Sequence, residues 1–140
     1  MTAVRLLAIA KKVLRQSKIS YPGIRTGAVL ETKRGKLYTG CSIEIEPSYA
    51  SVCAEGIACL KAAADGKAFG KTILIAGEET VFPYPCGTCR QLLYDMGGAK
   101  MKIILANKKN ELQIMTIGDL LPFPPKIRKR RAPTGTRRWK

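Results

Sequence analysis

The sequence contains no histidine among its 140 residues. Histidine is the commonest metal ligand and a usual proton carrier near neutral pH, so a metal site here needs other ligands and proton transfer needs a carboxylate, lysine, tyrosine or thiol.

Long apolar runs are missing too. Runs such as ILIA and IILA are far shorter than the roughly 20 residues of a membrane-spanning helix. With no apolar block of signal-peptide length near the N-terminus, the sequence predicts a soluble, cytoplasmic protein.

Acidic residues are few, 10 against 25 lysines and arginines, and the formal net charge is +15. Eight positive charges fall within residues 126–140, which contain no acid, and this leaves +7 for residues 1–125. We therefore expect one domain over 1–125 and a polybasic tail over 126–140. The tail is predicted to be flexible, because proline, glycine and like charges oppose packing. Its cations and Trp139 are also typical of a nucleic-acid-binding arm, and KIRKRR of a nuclear-localisation signal.

The apolar pattern predicts an α/β domain built on one mixed sheet of about five strands, with a parallel βαβαβ core. The expected elements are a helix over 3–17, strands TGAVLET and LYTGCSIEI, a helix over 52–66, strand KTILIAG, a helix over 86–98, strands MKIILAN and LQIMTI, and a helical turn over 118–121. Ligands of such sheets bind beyond the carboxyl ends of the strands, where the next helices begin. The N-termini of the two central helices should therefore lie side by side.

Three of the five cysteines occur where these two helices begin. Cys53 opens the first, and Cys86 and Cys89 open the second. Helix N-termini favour thiolates, and three thiolates at one point form a zinc site whose fourth position stays open for water. Cys41 and Cys59 are poorly placed to close that site, and we expect them to behave as small buried apolar residues.

A water activated by zinc needs a group that takes and returns its protons. Glu55 lies two residues after Cys53, in the first helical turn, and can reach over the metal. We predict that Glu55 is the proton carrier.

Cys53-Ala54-Glu55 and Pro85-Cys86-Gly87-Thr88-Cys89-Arg90-Gln91 resemble the C-A-E and P-C-G-x-C-R-Q motifs of the small zinc-dependent cytidine deaminases. The stretches YP-x3-TGAVL and GCSIE, and Leu120-Leu121-Pro122, are similar to further parts of that family. The resemblance implies a three-layer α-β-α fold, one Zn²⁺ per subunit, a homotetramer, and hydrolysis of cytidine and 2′-deoxycytidine to uridine and 2′-deoxyuridine in pyrimidine salvage.

The resemblance also implies roles for individual residues. The backbone N–H of Ala54 and the carbonyl of Tyr84 would hold the base, Glu44 and Ser42 the ribose, and Ile24 would lie at the substrate side. Arg90 would donate hydrogen bonds to the zinc thiolates. Several positions depart from the family: Gly56 replaces its arginine, Ile24 its phenylalanine, Arg25 its proline, Ser42 its first asparagine and Ile45 its second. These departures leave a blasticidin S-type nucleoside, or cytosine in a polynucleotide, as alternative substrates.

Simpler interpretations remain beside these. Cys86 and Cys89 also fit a thioredoxin-like redox pair, and the zinc could be purely structural, although Glu55 would then have no role. Glu44 could be a surface residue of a strand edge, and Ile24 could belong to the core. A zinc-containing module that binds nucleic acid without catalysis is the alternative from a different class.

Overall fold

The structure, a computed structural model, describes residues 1–19, 23–67 and 69–125. The predicted tail over 126–140 lies outside the described residues. The helices and strands are α1 (Ala3–Leu14), β1 (Thr26–Thr32), β2 (Leu37–Cys41), a 3-10 turn (Ser48–Ala50), α2 (Ala54–Ala64), β3 (Gly70–Gly77), α3 (Gly87–Gly97), β4 (Lys102–Ala106), β5 (Leu112–Thr116) and α4 (Ile117–Leu120).

The five strands form one sheet in the order β2-β1-β3-β4-β5, which confirms the predicted mixed sheet. Strands β2, β3 and β4 run in one direction, but β1 lies between β2 and β3 and pairs antiparallel with both. Among the strands in the described part of the chain, β3 and β4 alone form a parallel hydrogen-bonded pair. The predicted parallel core is thus interrupted, because β1, buried at all positions after its first, takes an inner place in the sheet.

Helices cover both faces of the sheet, as in the predicted three-layer arrangement. Against one face, α1 buries Leu6, Ala10 and Leu14 at helical spacing. Against the other face, α2 and α3 pack with the alternate side chains of β1, β3 and β4. Each strand therefore divides its apolar residues between two cores, since successive side chains point to opposite faces.

The strand β2 approaches α2 at Gly40. A Cβ added there would lie 2.1 Å from the backbone oxygen of Ala54 and 2.7 Å from the nitrogen of Ala58. Only glycine permits this spacing. The close approach fixes the first turn of α2, the turn that carries Glu55, against the sheet.

The strand β2 ends at Cys41, earlier than the sequence pattern predicts. Beyond it the chain makes single bridges, from Ile43 to Lys18 and to Val52, and the predicted strand does not continue. Within the described residues, no helix is long and apolar enough to cross a membrane.

Candidate metal centre and cleft

Two cysteines occupy equivalent positions at the starts of the two neighbouring helices. Cys53 is the N-cap of α2 and Cys86 is the N-cap of α3, and neither sulfur caps its own helix. Cys89 lies in the first turn of α3 and is buried. All three thiols are therefore presented at helix N-termini, where the backbone N–H groups favour negative charge.

The sulfurs of Cys53, Cys86 and Cys89 lie within 4.8 Å of one another. Sulfurs bound tetrahedrally to zinc at about 2.3 Å lie roughly 3.8 Å apart, so small side-chain rotations bring these three onto one ion. No other group of three metal-ligating side chains occurs in the part of the chain that the structure describes. Three thiolates fit a single Zn²⁺ per subunit and leave its fourth position open.

The thiols already interact with one another. A hydrogen bond from Cys89 lowers the pKa of Cys53 to about 7. The same pairing raises the pKa of Cys89. The hydrogen bond therefore favours the thiolate form of Cys53, and a metal cation that binds the cluster displaces the remaining thiol protons.

Glu55 is the buried carboxylate of the site. Its residue is only 4% exposed, yet it lines the cleft that opens beside the thiols. Burial raises the pKa of Glu55 above its ordinary value. A buried carboxyl whose pKa is shifted upward is suited to both accepting and returning a proton near neutral pH.

The two remaining cysteines lie outside the cluster. Cys59 is fully buried in the core on the α2 side, where burial raises the pKa of its thiol to about 12. Cys41 ends β2 and is half-buried. The core position of Cys59 confirms the prediction for that residue, and Cys41 takes no part in the metal cluster.

A cleft of about 500 Å³ opens onto Cys53, Glu55 and Cys86. Its walls come mainly from three segments: residues 24–26 before and within β1, residues 42–55 from the end of β2 into α2, and residues 81–86 between β3 and α3; Ile75 of β3 also lines it. The volume lies in the range of small-molecule sites. Sequence reasoning missed Val81, Phe82 and Pro83, although apolar residues in the loop between a strand and the next helix are a usable signal for such a wall.

The predicted substrate residue Glu44 lines the cleft. Its backbone N–H donates to the carbonyl of Lys18. A Cβ added at Gly23 would lie 2.0 Å from its carboxylate, so the chain passes directly against this side chain. The close approach at Gly23 was not predicted from the sequence.

Ser42 also lines the cleft, but its hydroxyl has partners within the protein. It accepts a hydrogen bond from the N–H of Thr26 at 3.1 Å and donates to the hydroxyl of Ser17 at 3.2 Å. A bond from Ser42 to a ribose stays a prediction: its hydroxyl can still accept from a sugar hydroxyl, but to donate to one it would have to give up the contact with Ser17.

Arg90 connects the metal site to the C-terminal part of the domain. Its guanidinium donates to the carbonyl of Pro85 at 2.8 Å and to that of Leu120 at 3.1 Å. These bonds fix the residue before Cys86 and tie it to α4. The predicted donation from Arg90 to the thiolates is not among these bonds and stays a prediction.

The other predicted substrate residues lie around the same opening. Tyr84 and Ile24 are exposed and line the cleft. Ala54 is the buried first residue of α2, and the N–H of a first helical residue has no acceptor within its helix. Their contacts with a substrate stay predictions.

Residues 1–105 match the family described as the cytidine and deoxycytidylate deaminase zinc-binding region. A cytidine deaminase from Sporosarcina psychrophila is 32% identical over 122 residues, which cover 87% of this chain and 90% of the relative. A blasticidin-S deaminase from Bacillus cereus is 31% identical over 69% of this chain and 74% of its own length. Both relatives therefore align over most of the domain.

The fold is shared with solved structures. The crystal structure of cytidine deaminase from Burkholderia pseudomallei superposes with a TM-score of 0.82 at 30% identity, covering 89% of this chain and 99% of that one. Cytidine deaminase from Mycobacterium tuberculosis superposes with a TM-score of 0.78 at 23% identity, covering 91% and 99%. The predicted fold class is confirmed.

Proposed function

Because the chain belongs to the zinc-dependent cytidine deaminase family, we propose that its substrates are free cytidine and 2′-deoxycytidine. The reaction adds water at C4 of the cytosine ring and releases ammonia, which leaves uridine or 2′-deoxyuridine. The observation that carries the proposal is the buried carboxylate of Glu55 in the cleft beside three convergent thiols.

Zinc, when bound by Cys53, Cys86 and Cys89, supplies a Lewis acid that makes water a nucleophile near neutral pH. Glu55 moves the protons. Its carboxylate takes one from the attacking water and delivers it to N3 of the ring, and then passes a second to the departing amine. The buried position keeps Glu55 close to the ring and limits exchange of these protons with solvent.

The base and the sugar occupy different walls of the cleft. Apolar side chains of residues 81–84 face the ring, and the N–H of Ala54 and the carbonyl of Tyr84 hold its polar edge. Glu44 accepts a hydrogen bond from the ribose. Ser42 contributes to the wall, and Ile24 covers the substrate from the side of β1. Arg90 holds the backbone before Cys86 in place.

The proposal extends to assembly and location. Exposed apolar side chains line the opening, among them Val81, Tyr84 and Ile24, and Phe123 elsewhere in the domain is 94% exposed. Burying them between copies of the chain supports a homotetramer, as the family resemblance implies. Free thiols at a zinc site support a reducing cytoplasm and a role in pyrimidine salvage. Nucleic-acid binding through residues 126–140 is a further part of the proposal, and its support is the charge of that segment alone.

The test is ammonia release by the purified, zinc-loaded protein. Cytidine, 2′-deoxycytidine, blasticidin S and a cytosine-containing RNA are offered in parallel, with the variant Glu55→Gln as the blank. We expect turnover of the two free nucleosides and none by the variant. Absence of turnover on both nucleosides, with bound zinc confirmed, would overturn the substrate assignment. Preferential turnover of blasticidin S would assign the chain to the activity named for the Bacillus cereus relative.

A further inference from the structure

Residues 78–86 connect β3 to α3 and are here called the β3–α3 loop. Hydrogen bonds to other segments of the chain hold this loop in place more than bonds within it. Its residues Val81 to Tyr84, with Cys86, form one side of the cleft. Within the loop, the backbone makes one hydrogen bond, from the N–H of Tyr84 to the carbonyl of Phe82. A segment with so few internal bonds takes its shape from its neighbours.

The neighbour is the turn between β4 and β5, residues 107–111. The side-chain amide of Asn107 donates to the carbonyl of Thr80 at 2.9 Å. The backbone N–H of Lys108 donates to the carbonyl of Glu79 at 2.8 Å. Further along the loop, the hydroxyl of Tyr84 donates to the side chain of Gln113 on β5. The turn therefore contacts the loop directly before its cleft-lining part begins.

Asn107 can hold the β3–α3 loop in a fixed position because all four hydrogen-bonding positions of its side chain are used. Its Nδ2 donates to Thr80 and to the carboxylate of Glu111, and its Oδ1 accepts from the N–H groups of Lys109 and Glu111. The residue is 1% exposed. Reversing the amide would place oxygen against two acceptors, so its orientation is fixed. One side chain thus shapes its own turn and holds the loop.

We propose that Asn107 is a positioning residue of the reaction, which sets the wall of Val81 to Tyr84 against the cytosine ring through the carbonyl of Thr80. The inference rests on the proposed function for its substrate. The side-chain hydrogen bonds of Asn107 go to Thr80, Lys109 and Glu111, and Arg90 holds Pro85 independently. Loss of the contact with Thr80 should therefore weaken binding of the nucleoside more than it slows the chemical step.

The isosteric change Asn107→Asp tests this. It keeps an acceptor for the two N–H groups of the turn but presents oxygen to Thr80 and a second negative charge to Glu111. We expect the KM for cytidine to rise about tenfold and kcat to change less than about threefold, with zinc content unchanged. A fall in kcat at unchanged KM would overturn the proposal, because that is the result of losing folded enzyme or disturbing the metal centre.

A second variant separates the loop contact from the stability of the turn. In Asn107→Asp with Glu111→Gln, the amide of residue 111 can donate to the new carboxylate, so the turn regains its internal bond while Thr80 stays without its donor. We expect the unfolding temperature to recover and the KM to stay high. Recovery of both would show that the effect came through the turn alone, and would overturn the proposal. If Asn107→Asp does not fold, this double variant carries the same comparison.

A measurement without substrate distinguishes failure of this inference from failure of the proposed function. Hydrogen–deuterium exchange should become faster in residues 78–86 of the double variant, and stay unchanged in α2. Unchanged exchange in that loop would overturn the positioning role, whatever nucleoside the enzyme accepts. Faster exchange in a protein that fails to deaminate cytidine would leave the loop contact standing and refute the substrate assignment.

Discussion

The two ends of α2 present carboxylates in opposite environments. Near its N-terminus, Glu55 is buried and burial raises its pKa. At its C-terminus, Asp65 is exposed, and hydrogen bonds from Lys36 and then from Tyr38 lower its pKa. The same chemical group is held ready to carry a proton at one end and kept ionised at the other.

The difference shows that burial, more than position on a helix, separates a candidate functional acid from a structural one. A negative charge is favoured at a helix N-terminus and disfavoured at the C-terminus. Asp65 is nevertheless ionised at the unfavourable end, because Lys36, directly before β2, and Tyr38 on β2 donate to it. Glu55 is at the favourable end, yet it is the carboxyl whose charge is made costly.

The largest expected effect comes from the first residue of that N-terminal end. Cys53→Ser keeps a good helix N-cap but removes one sulfur from the metal cluster. We expect zinc content to fall far below one per subunit, turnover to be lost and the unfolding temperature to drop by roughly 5 °C or more, since a bound ion stabilises the folded state. Metal analysis and thermal unfolding measure this.

The matched control is Cys41→Ser, which alters a half-buried thiol outside the cluster. Zinc content should then stay at one per subunit. A Cys53→Ser protein that keeps its full zinc would contradict the assignment of that sulfur as a ligand.

Next in size is the exchange of the buried carboxylate for an amide. Glu55→Gln should lower kcat by about 10²- to 10⁴-fold, the usual contribution of a positioned acid–base group. Zinc content and unfolding temperature should be unchanged or slightly higher, because an uncharged amide is easier to bury. Residual turnover near the wild-type value would exclude Glu55 as the proton carrier.

The convergence of the three cysteines and Glu55 at this end of α2 was predicted from the sequence because its signals are local. Cys53 and Glu55, and likewise Cys86 and Cys89, are spaced within single helical turns. The apolar periodicity then predicts an α/β sheet in which the two helices begin side by side at one crevice. The insertion of β1 between β2 and β3 could not be read in the same way, because it depends on pairing between strands far apart in sequence.

The hydrogen bonds that hold the walls of the cleft could not be predicted either, because they also join residues far apart in sequence. Arg90 reaches the carbonyl of Leu120, and Asn107 reaches that of Thr80, across separations of 30 and 27 residues. Backbone carbonyls occur at every residue, so the sequence carries no mark of which one will be the acceptor. Ser42 shows the converse: its position in the cleft wall was predicted, but its bonds to Ser17 and Thr26 were not.

A smaller effect is expected from changing how α2 rests on the sheet. Gly40→Ala places a methyl group 2.1 Å from the oxygen of Ala54, so strand or helix must shift. We expect the free energy of unfolding to fall by about 1–3 kcal/mol, with a moderate loss of turnover as Glu55 is displaced. Gly87→Ala is the control, since a Cβ there meets nothing within 4 Å. Equal stability of the two variants in denaturant unfolding would show that the close approach at Gly40 does not constrain the helix.

The smallest effect is expected at the other carboxylate of the comparison. Asp65→Asn removes an exposed ion pair with Lys36, so turnover should not change and the unfolding temperature should fall only slightly. The sign of its pH dependence is fixed by the lowered pKa. The ionised group stabilises the folded state above its ordinary value of 3.8, and that contribution is lost as the pH falls through the lower folded-state value. The stability difference between wild type and Asp65→Asn should therefore be present at neutral pH and disappear as the pH falls below 3.8 and through the lowered folded-state pKa. Urea unfolding across this range measures it. A constant difference, or a loss of turnover like that of Glu55→Gln, would mean that the two ends of α2 are less distinct than their burial indicates.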